Sequence, residues 1–152
     1  MAEHFPELYL ENQICFPLYA ASRLTTKLYT PFLEELDLTY PQYLVMLALW
    51  QEDGQSVKAI GESLYLESNT LTPLLKRLEQ KGLVRRERSK QDERTVLINL
   101  SQKGAKLKEQ AKEVPGKILN CFAEGTISKN DLGQFQQSLF KLLNALQEKV
   151  SK

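Results

Sequence analysis

The stretch from Ser56 to Leu100 constrains the fold most, because its apolar spacing changes from helical to alternating within one continuous segment. Its first part carries apolar residues three or four positions apart, at Val57, Ile60 and Leu64. A second part has four leucines on one helical face: Leu71, Leu74, Leu75 and Leu78. Glu67-Ser68-Asn69 between them is typical of turns and N-caps, and Gly82 suits a helix end. This pattern predicts a helix-turn-helix, with Gly61 where the second helix approaches closely.

The segment after Gly82 predicts a β-hairpin with a charged tip. Val96, Ile98 and Leu100 alternate with other residues, and a polar run from Ser89 to Glu93 precedes them. Lys76 to Arg94 contains eight basic and four acidic residues, a net charge of +4 in a chain whose total is +1. A helix-turn-helix followed by a basic hairpin predicts a winged helix that binds duplex DNA. The alternative is a charged hairpin that only faces solvent.

Length and composition exclude several other classes of protein. A chain of 152 residues suits one domain, and no apolar run reaches the roughly 20 residues of a membrane span. The amino terminus lacks the features of a secretory signal, and two cysteines 106 positions apart do not suggest a secreted disulfide scaffold, so we expect a cytoplasmic protein. His4 is the only histidine, and the seven glycines are scattered singly. We therefore expect no hydrolytic enzyme, no metal site and no cofactor.

Helices are expected on both sides of the DNA-binding unit. The apolar spacing predicts four of them, over about 13–36, 41–51, 102–122 (bent or interrupted near Pro115-Gly116) and 129–150. The first and last carry long apolar stripes, which predict a homodimer on a pseudo-palindromic site with recognition helices about 34 Å apart. The alternative is that both stripes close the core of one monomer. The expected fold is mainly α with a small β-hairpin wing: one domain over 1–152, with a winged helix at about 41–100 and dimerisation regions at about 5–36 and 102–150.

Several motifs give the chain a resemblance to a known family. They are Glu11-Asn12-Gln13-Ile14-Cys15-Phe16, Thr39-Tyr40-Pro41-Gln42-Tyr43-Leu44, Leu71-Thr72-Pro73-Leu74-Leu75-Lys76-Arg77 and Asp92-Glu93-Arg94. In this order and spacing the chain resembles the MarR family, and within it the organic-hydroperoxide-sensing, OhrR-type branch. Pro73 is part of that family pattern, although a proline inside the second helix would be expected to distort it locally.

The resemblance implies a transcriptional repressor whose reactive residue is Cys15, at the start of the first helix. It implies hydrogen bonds to that thiolate from Tyr29 and Tyr40, and Tyr19 lies one turn after Cys15. Peroxides oxidise thiolates to sulfenic acids, which condense with a second thiol. Cys121 is placed like the resolving cysteine of a partner subunit, and a small soluble thiol is the alternative.

The resemblance also implies which residues contact DNA. Those expected in the major groove are Ser68, Thr70, Thr72, Lys76 and Arg77. Arg94 would enter the minor groove with Asp92 holding its guanidinium, and Arg86 and Lys90 belong to the same basic wing. N-capping is an equally good use for the hydroxyls of Ser68 and Thr70.

Three other functions remain open from the sequence. The chain could be a DNA-binding repressor controlled by a small aromatic or phenolic ligand, a thiol peroxidase that uses Cys15, or a dimerisation module without DNA binding.

Overall fold

The structure, a computed structural model, describes residues 4–125 and 127–151. Residues 1–3, residue 126 and residue 152, which belong to the predicted single domain, lie outside the described residues. The α-helices are α1 (Cys15–Glu34), α2 (Tyr40–Gln51), α3 (Val57–Leu64), α4 (Ser68–Gln80), α5 (Gln102–Ala111), α6 (Val114–Ala123) and α7 (Lys129–Val150). The strands are β1 (Gln55–Ser56), β2 (Val84–Arg88) and β3 (Val96–Leu100). The predicted class, mainly α with a small β wing, is confirmed.

The chain divides into two compact units, Met1–Val114 and Pro115–Lys152. The first unit contains α1 to α5 and the sheet, and therefore the complete winged helix. The second contains α7 and all of α6 except Val114. None of the described residues of α7 is buried.

The ends of α1 and α2 follow from local hydrogen bonds. Thr39 and Gln42 form a reciprocal capping box at the start of α2, so this helix begins beside Pro41 as predicted. The predicted start of α1 at Gln13 is two residues too early. The N-cap position belongs to Ile14, whose side chain makes no capping hydrogen bond. The side-chain amide of Asn12 donates to the carbonyl of Pro6 over 2.7 Å.

The helix-turn-helix consists of α3 and α4, and its buried side chains are those of the predicted apolar faces. Ile60, Leu71, Leu75 and Leu78 are almost completely buried. A Cβ atom on Gly61 would lie 2.7 Å from the carbonyl oxygen of Leu66. Another part of the backbone therefore approaches Gly61 closely, but it belongs to the turn between α3 and α4 and not to α4 itself. Helix α4 continues through Pro73 without a break.

The sheet has one strand more than the predicted hairpin. β2 and β3 pair antiparallel, with Val84 opposite Leu100. The segment Gln55–Ser56, directly before α3, forms β1 and pairs with the other edge of β3, giving the order β1-β3-β2. A side-chain oxygen of Asp53 accepts the Leu100 N–H over 2.7 Å and fixes this edge.

The helix predicted over 102–122 is interrupted near Pro115-Gly116, as predicted. α5 ends at Ala111 and α6 begins at Val114, so the interruption lies before Pro115-Gly116. Pro115 is the second residue of α6, where its missing N–H breaks no helical hydrogen bond. α5 is also joined to α2, since the indole N–H of Trp50 donates to the Gly104 carbonyl over 2.9 Å.

Candidate DNA-binding and thiol sites

Helix α4 separates its apolar and polar residues onto opposite faces. The five residues predicted to reach the major groove, Ser68, Thr70, Thr72, Lys76 and Arg77, are all exposed. The N-cap position belongs to Glu67, so capping does not use the hydroxyls of Ser68 and Thr70. The Thr72 hydroxyl donates to the Ser68 carbonyl over 2.7 Å. The exposed face of α4 therefore presents hydroxyls and cations in one row, the chemistry that reads base edges and phosphates.

The tip of the wing is ordered by its own polar side chains. One carboxylate oxygen of Asp92 accepts the main-chain N–H of Arg94 over 3.0 Å, and the other accepts the Thr95 hydroxyl over 3.1 Å. The Ser89 hydroxyl oxygen accepts N–H groups from within the tip. Lys90 and Arg94 are exposed there. Asp92 thus fixes the backbone of Arg94, whereas the expected contact was with its guanidinium.

Arg86 joins the wing to α4. Its guanidinium donates to a single carboxylate oxygen of Glu79 from two nitrogens, over 2.7 and 2.8 Å, and its main-chain N–H donates to the other over 3.2 Å. The hydrogen bond from Arg86 lowers the pKa of Glu79. Part of the Arg86 charge is therefore compensated within the protein. This role of Glu79 could not be predicted from the sequence, since a seven-residue separation across a helix end gives no local signal.

Cys15 is an exposed free thiol at the first residue of α1. One turn later Tyr19 is exposed, and the Arg23 guanidinium lies 5.6 Å from the centre of its ring. A shallow groove of about 260 Å³ runs along this part of α1, lined by Phe16, Tyr19, Ala20, Arg23, Leu24 and Lys27. Cys121, in α6, is a partly exposed free thiol.

The other two tyrosines implied for the thiol site lie together at the far end of α1. The rings of Tyr29 and Tyr40 are 4.8 Å apart between centroids, and Tyr43 lies 5.9 Å from Tyr29. Tyr29 follows Cys15 by 14 positions on one helix. At 1.5 Å per residue, the two are separated by about 21 Å along the axis. Tyr29 cannot contact Cys15 of its own chain. Tyr43 was missed, although its spacing of three from Tyr40 on α2 was a signal.

Packing within this tyrosine cluster should be visible in an alkaline titration. Burial, with the neighbouring Tyr40 and Tyr43, raises the pKa of Tyr29 from 10.0 to about 12. Tyr29 ionises at a lower pH in the unfolded chain than in the folded protein. The contribution of its buried neutral phenol to stability is therefore complete below about pH 10 and is lost as the pH rises towards 12. We expect tyrosinate absorbance to show a late ionisation step that is smaller in Tyr29→Phe, since burial also raises the pKa of Tyr40 and Tyr43. Ionisation of every tyrosine near pH 10 would contradict the packing.

The described part of the chain shows no sign of metal or membrane chemistry. No group of three or more His, Cys, Asp and Glu side chains among residues 4–125 and 127–151 could hold a metal ion. None of the described helices combines the length and apolarity needed to cross a membrane.

Comparison with known proteins places this geometry among regulators of transcription. The family described as "Transcriptional regulator SarA/Rot" matches residues 27–111. The chain is 51% identical over 149 residues to the organic hydroperoxide resistance transcriptional regulator of Bacillus subtilis, covering 98% of this chain and 99% of that protein. The resemblance therefore includes the thiol-bearing amino terminus as well as the winged helix.

Solved structures of AbfR, a protein of Staphylococcus epidermidis, are also similar. Reduced AbfR bound to DNA matches with a TM-score of 0.75 and 38% identity, covering 94% of this chain and 95% of that one. Disulfide-formed AbfR matches with a TM-score of 0.61, also at 38% identity, covering 94% and 93%.

Proposed function

This chain belongs to the MarR family of transcriptional regulators, in the organic-hydroperoxide resistance branch. From that premise we propose that it is a homodimeric repressor, which leaves its operator when an organic hydroperoxide oxidises Cys15. The observation that carries the proposal is the exposed free thiol at the first residue of α1, in a chain 51% identical to a hydroperoxide resistance regulator over almost its whole length. Such a protein would act in the cytoplasm, where its DNA is, as a sensor and not as an enzyme.

DNA binding is supported by the exposed polar face of α4 and by the basic wing. We propose that Ser68, Thr70, Thr72, Lys76 and Arg77 meet the major groove of a pseudo-palindromic duplex. Arg94 and Lys90, exposed at the ordered tip, would meet the minor groove and the phosphates. Arg86, compensated by Glu79, would serve chiefly to hold the wing against α4.

A homodimer is supported by the apolar side chains that the helices leave exposed. In α1, Phe16 and Leu24 are 40% and 64% exposed, and in α7, Phe135 and Phe140 are 57% and 55% exposed. Surfaces of this kind in a regulator are normally covered by a second copy. A dimer would also explain how a tyrosine at position 29 could lie near Cys15, from which it is distant within one chain. If the phenols of Tyr29 and Tyr40 support the thiolate, they must come from the second subunit.

The chemistry proposed at Cys15 is a two-electron oxidation. The thiolate attacks one oxygen of ROOH, the O–O bond breaks, and the departing alkoxide takes a proton, giving a cysteine sulfenic acid and an alcohol. A second thiol then displaces water from the sulfenic acid and forms a disulfide. We propose Cys121 of the second subunit as that thiol. The similarity to AbfR, which has been solved in a disulfide form, supports this step.

The proposal can be tested with a duplex that the reduced protein selects from a random DNA pool. Its fluorescence anisotropy is followed while stoichiometric cumene hydroperoxide is added, and intact mass is measured under non-reducing conditions. We expect release of the duplex together with oxidation of Cys15 and appearance of a Cys15–Cys121 species. Many turnovers of peroxide per protein would indicate an enzyme, and release without oxidation of Cys15 would indicate a ligand sensor.

The two wing arginines should respond differently to substitution. Arg94→Ala should weaken binding to the selected duplex roughly tenfold and reduce the slope of log affinity against log salt by about 1, since a free cation is lost. Arg86→Ala should change the salt slope by less, because Glu79 already compensates its charge. Anisotropy titrations at several salt concentrations measure both quantities. Equal slopes for Arg94→Ala and the unaltered protein would contradict this arrangement.

A further inference from the structure

Helix α1 ends in a corner with an unusual backbone conformation. The N–H of Leu38 donates to the Leu33 carbonyl and that of Asp37 to the Glu34 carbonyl, each over 3.0 Å. These are the two hydrogen bonds of a Schellman motif, in which the left-handed position is usually glycine. Here Asp37 occupies it with φ of 52°. A side chain in this conformation is unfavourable unless its surroundings hold it.

Helix α4 ends in a second corner of the same kind. Leu83 donates its N–H to the Leu78 carbonyl over 3.0 Å, and Gly82 donates to the Glu79 carbonyl over 2.9 Å, with φ of 72° at Gly82. β2 begins at Val84, two residues beyond Gly82. The position of this corner therefore sets both the end of the DNA-facing helix and the root of the wing.

The side chain of Lys81 joins the two corners. Its ammonium donates to the main-chain carbonyl of Asp37, lies 3.2 Å from the Asp37 carboxylate, and donates over 3.3 Å to the side-chain oxygen of Gln42. The lysine side chain is 27% exposed and Gln42 is only 2% exposed. A cation at this place also compensates the negative end of the α1 dipole.

The same contact reaches the tyrosine cluster. The Gln42 oxygen that receives Lys81 also accepts the Thr39 N–H over 3.2 Å in the capping box that begins α2. The residue after Thr39 is Tyr40, whose ring packs against the ring of Tyr29. On the opposite side, the carbonyl of Lys81 accepts a hydrogen bond from the Lys103 ammonium over 2.9 Å. The end of α4 is thus fixed between the α1–α2 corner and α5.

We propose that Lys81 is a positioning residue that transmits the state of the thiol site to the DNA-binding surface. It connects the helix that begins at Cys15 and carries Tyr29 to the helix and wing that face DNA. This role rests on the proposed function. A displacement of α1 or of the tyrosine pair would move the Asp37 carbonyl, and Lys81 would carry that displacement to the end of α4.

The test measures the redox ratio, which is the affinity of the reduced protein for the selected duplex divided by that of the peroxide-treated protein. Lys81→Met keeps most of the length of the side chain and removes its charge and donors. We expect it to lower the redox ratio roughly tenfold, within the usual range of coupling between two sites, while Cys15 is oxidised at the wild-type rate. Lys81→Arg, which keeps a charged donor, should restore most of the ratio. Lys58→Met is the matched control, because Lys58 is an exposed lysine of the same helix-turn-helix whose ion pair stays within α3.

The outcomes separate this role from the function it rests on. A redox ratio of one for the wild-type protein would contradict the proposed function, and with it the proposed role of Lys81. A large wild-type ratio that is unchanged in Lys81→Met, even with both affinities lowered, would show that Lys81 only supports the fold. If Lys81→Met does not fold, Lys81→Gln keeps a polar side chain and removes the charge that meets the Asp37 carbonyl and carboxylate. We then expect roughly a threefold loss of the ratio, and an unchanged ratio would overturn the proposal.

Discussion

Replacement of Cys15 by serine should leave the affinity for DNA within about twofold of wild type before treatment and abolish release by organic hydroperoxides. Cys15 lies at the start of α1, whereas the exposed face of α4 and the wing carry the residues proposed to meet DNA. A single exposed side chain at the start of α1 should therefore have little effect on the unoxidised complex. Anisotropy of the selected duplex, with and without cumene hydroperoxide, measures both parts of the prediction.

The expected effect is complete because serine cannot perform the first chemical step. Thiolate sulfur is the form that peroxides oxidise, and an alcohol is neither ionised near neutral pH nor able to form a sulfenic acid. Serine keeps the size and the hydrogen-bonding capacity of the side chain. Any remaining response would have to come from elsewhere in the molecule.

Cys121→Ser is the matched control, since it removes the other thiol and leaves the first step intact. We expect Cys15 of this variant to be oxidised at the wild-type rate, with the product remaining a sulfenic acid until a small thiol is added. Release of Cys15→Ser from DNA by peroxide would refute oxidation as the trigger and favour a bound ligand.

Gly104→Ala should destabilise the fold more than any other glycine substitution described here. A Cβ atom at this position would lie only 2.0 Å from the carbonyl oxygen of Leu83. That oxygen already accepts the N–H of Ser101, the N-cap residue of α5, over 2.9 Å. It cannot move away from the added Cβ atom without loss of this hydrogen bond. Moving α5 instead would break the hydrogen bond between Trp50 and the Gly104 carbonyl. We expect a loss of about 3 kcal/mol, at the upper end of typical overpacking, and a fall in Tm of roughly 6–12 °C.

Thermal denaturation and fluorescence of Trp50, the single tryptophan, measure this effect. Gly133→Ala is the control, because Gly133 lies within α7 and a Cβ there meets nothing within 4 Å. It should stabilise the protein by about 0.5–1 kcal/mol, as expected for replacing a helical glycine. Equal melting temperatures for the two variants would contradict the close contact at Gly104.

Features that depend on local chemistry could be predicted from the sequence. The apolar spacing in α3 and α4, the start of α2 beside Pro41 and the alternation in β3 each depend on residues within a few positions of one another. The polar face of α4 follows directly from that spacing, because Leu71, Leu75 and Leu78 are buried and the polar residues between them are left outside.

Features that depend on distant partners could not be predicted. β1 has only two residues and exists because it pairs with β3, more than 40 positions away. Asn12 has the chemistry of an N-cap, yet Ile14 holds that position of α1. The break between α5 and α6 was expected near Pro115-Gly116, but its exact position just before them was not, since a proline in the first turn of a helix is compatible with that helix. The Lys81 and Glu79 contacts likewise join residues that only the folded chain brings together.

The hydrogen bonds that Asp92 and Ser89 make within the wing tip have a consequence for binding affinity. A mobile loop must give up conformational freedom when it enters a DNA groove, and that entropy loss subtracts from affinity. Here the loop around Arg94 is ordered before any DNA is present. The backbone part of that entropy loss occurs during folding, so the DNA contacts proposed for this arginine would lose less affinity to ordering of the loop.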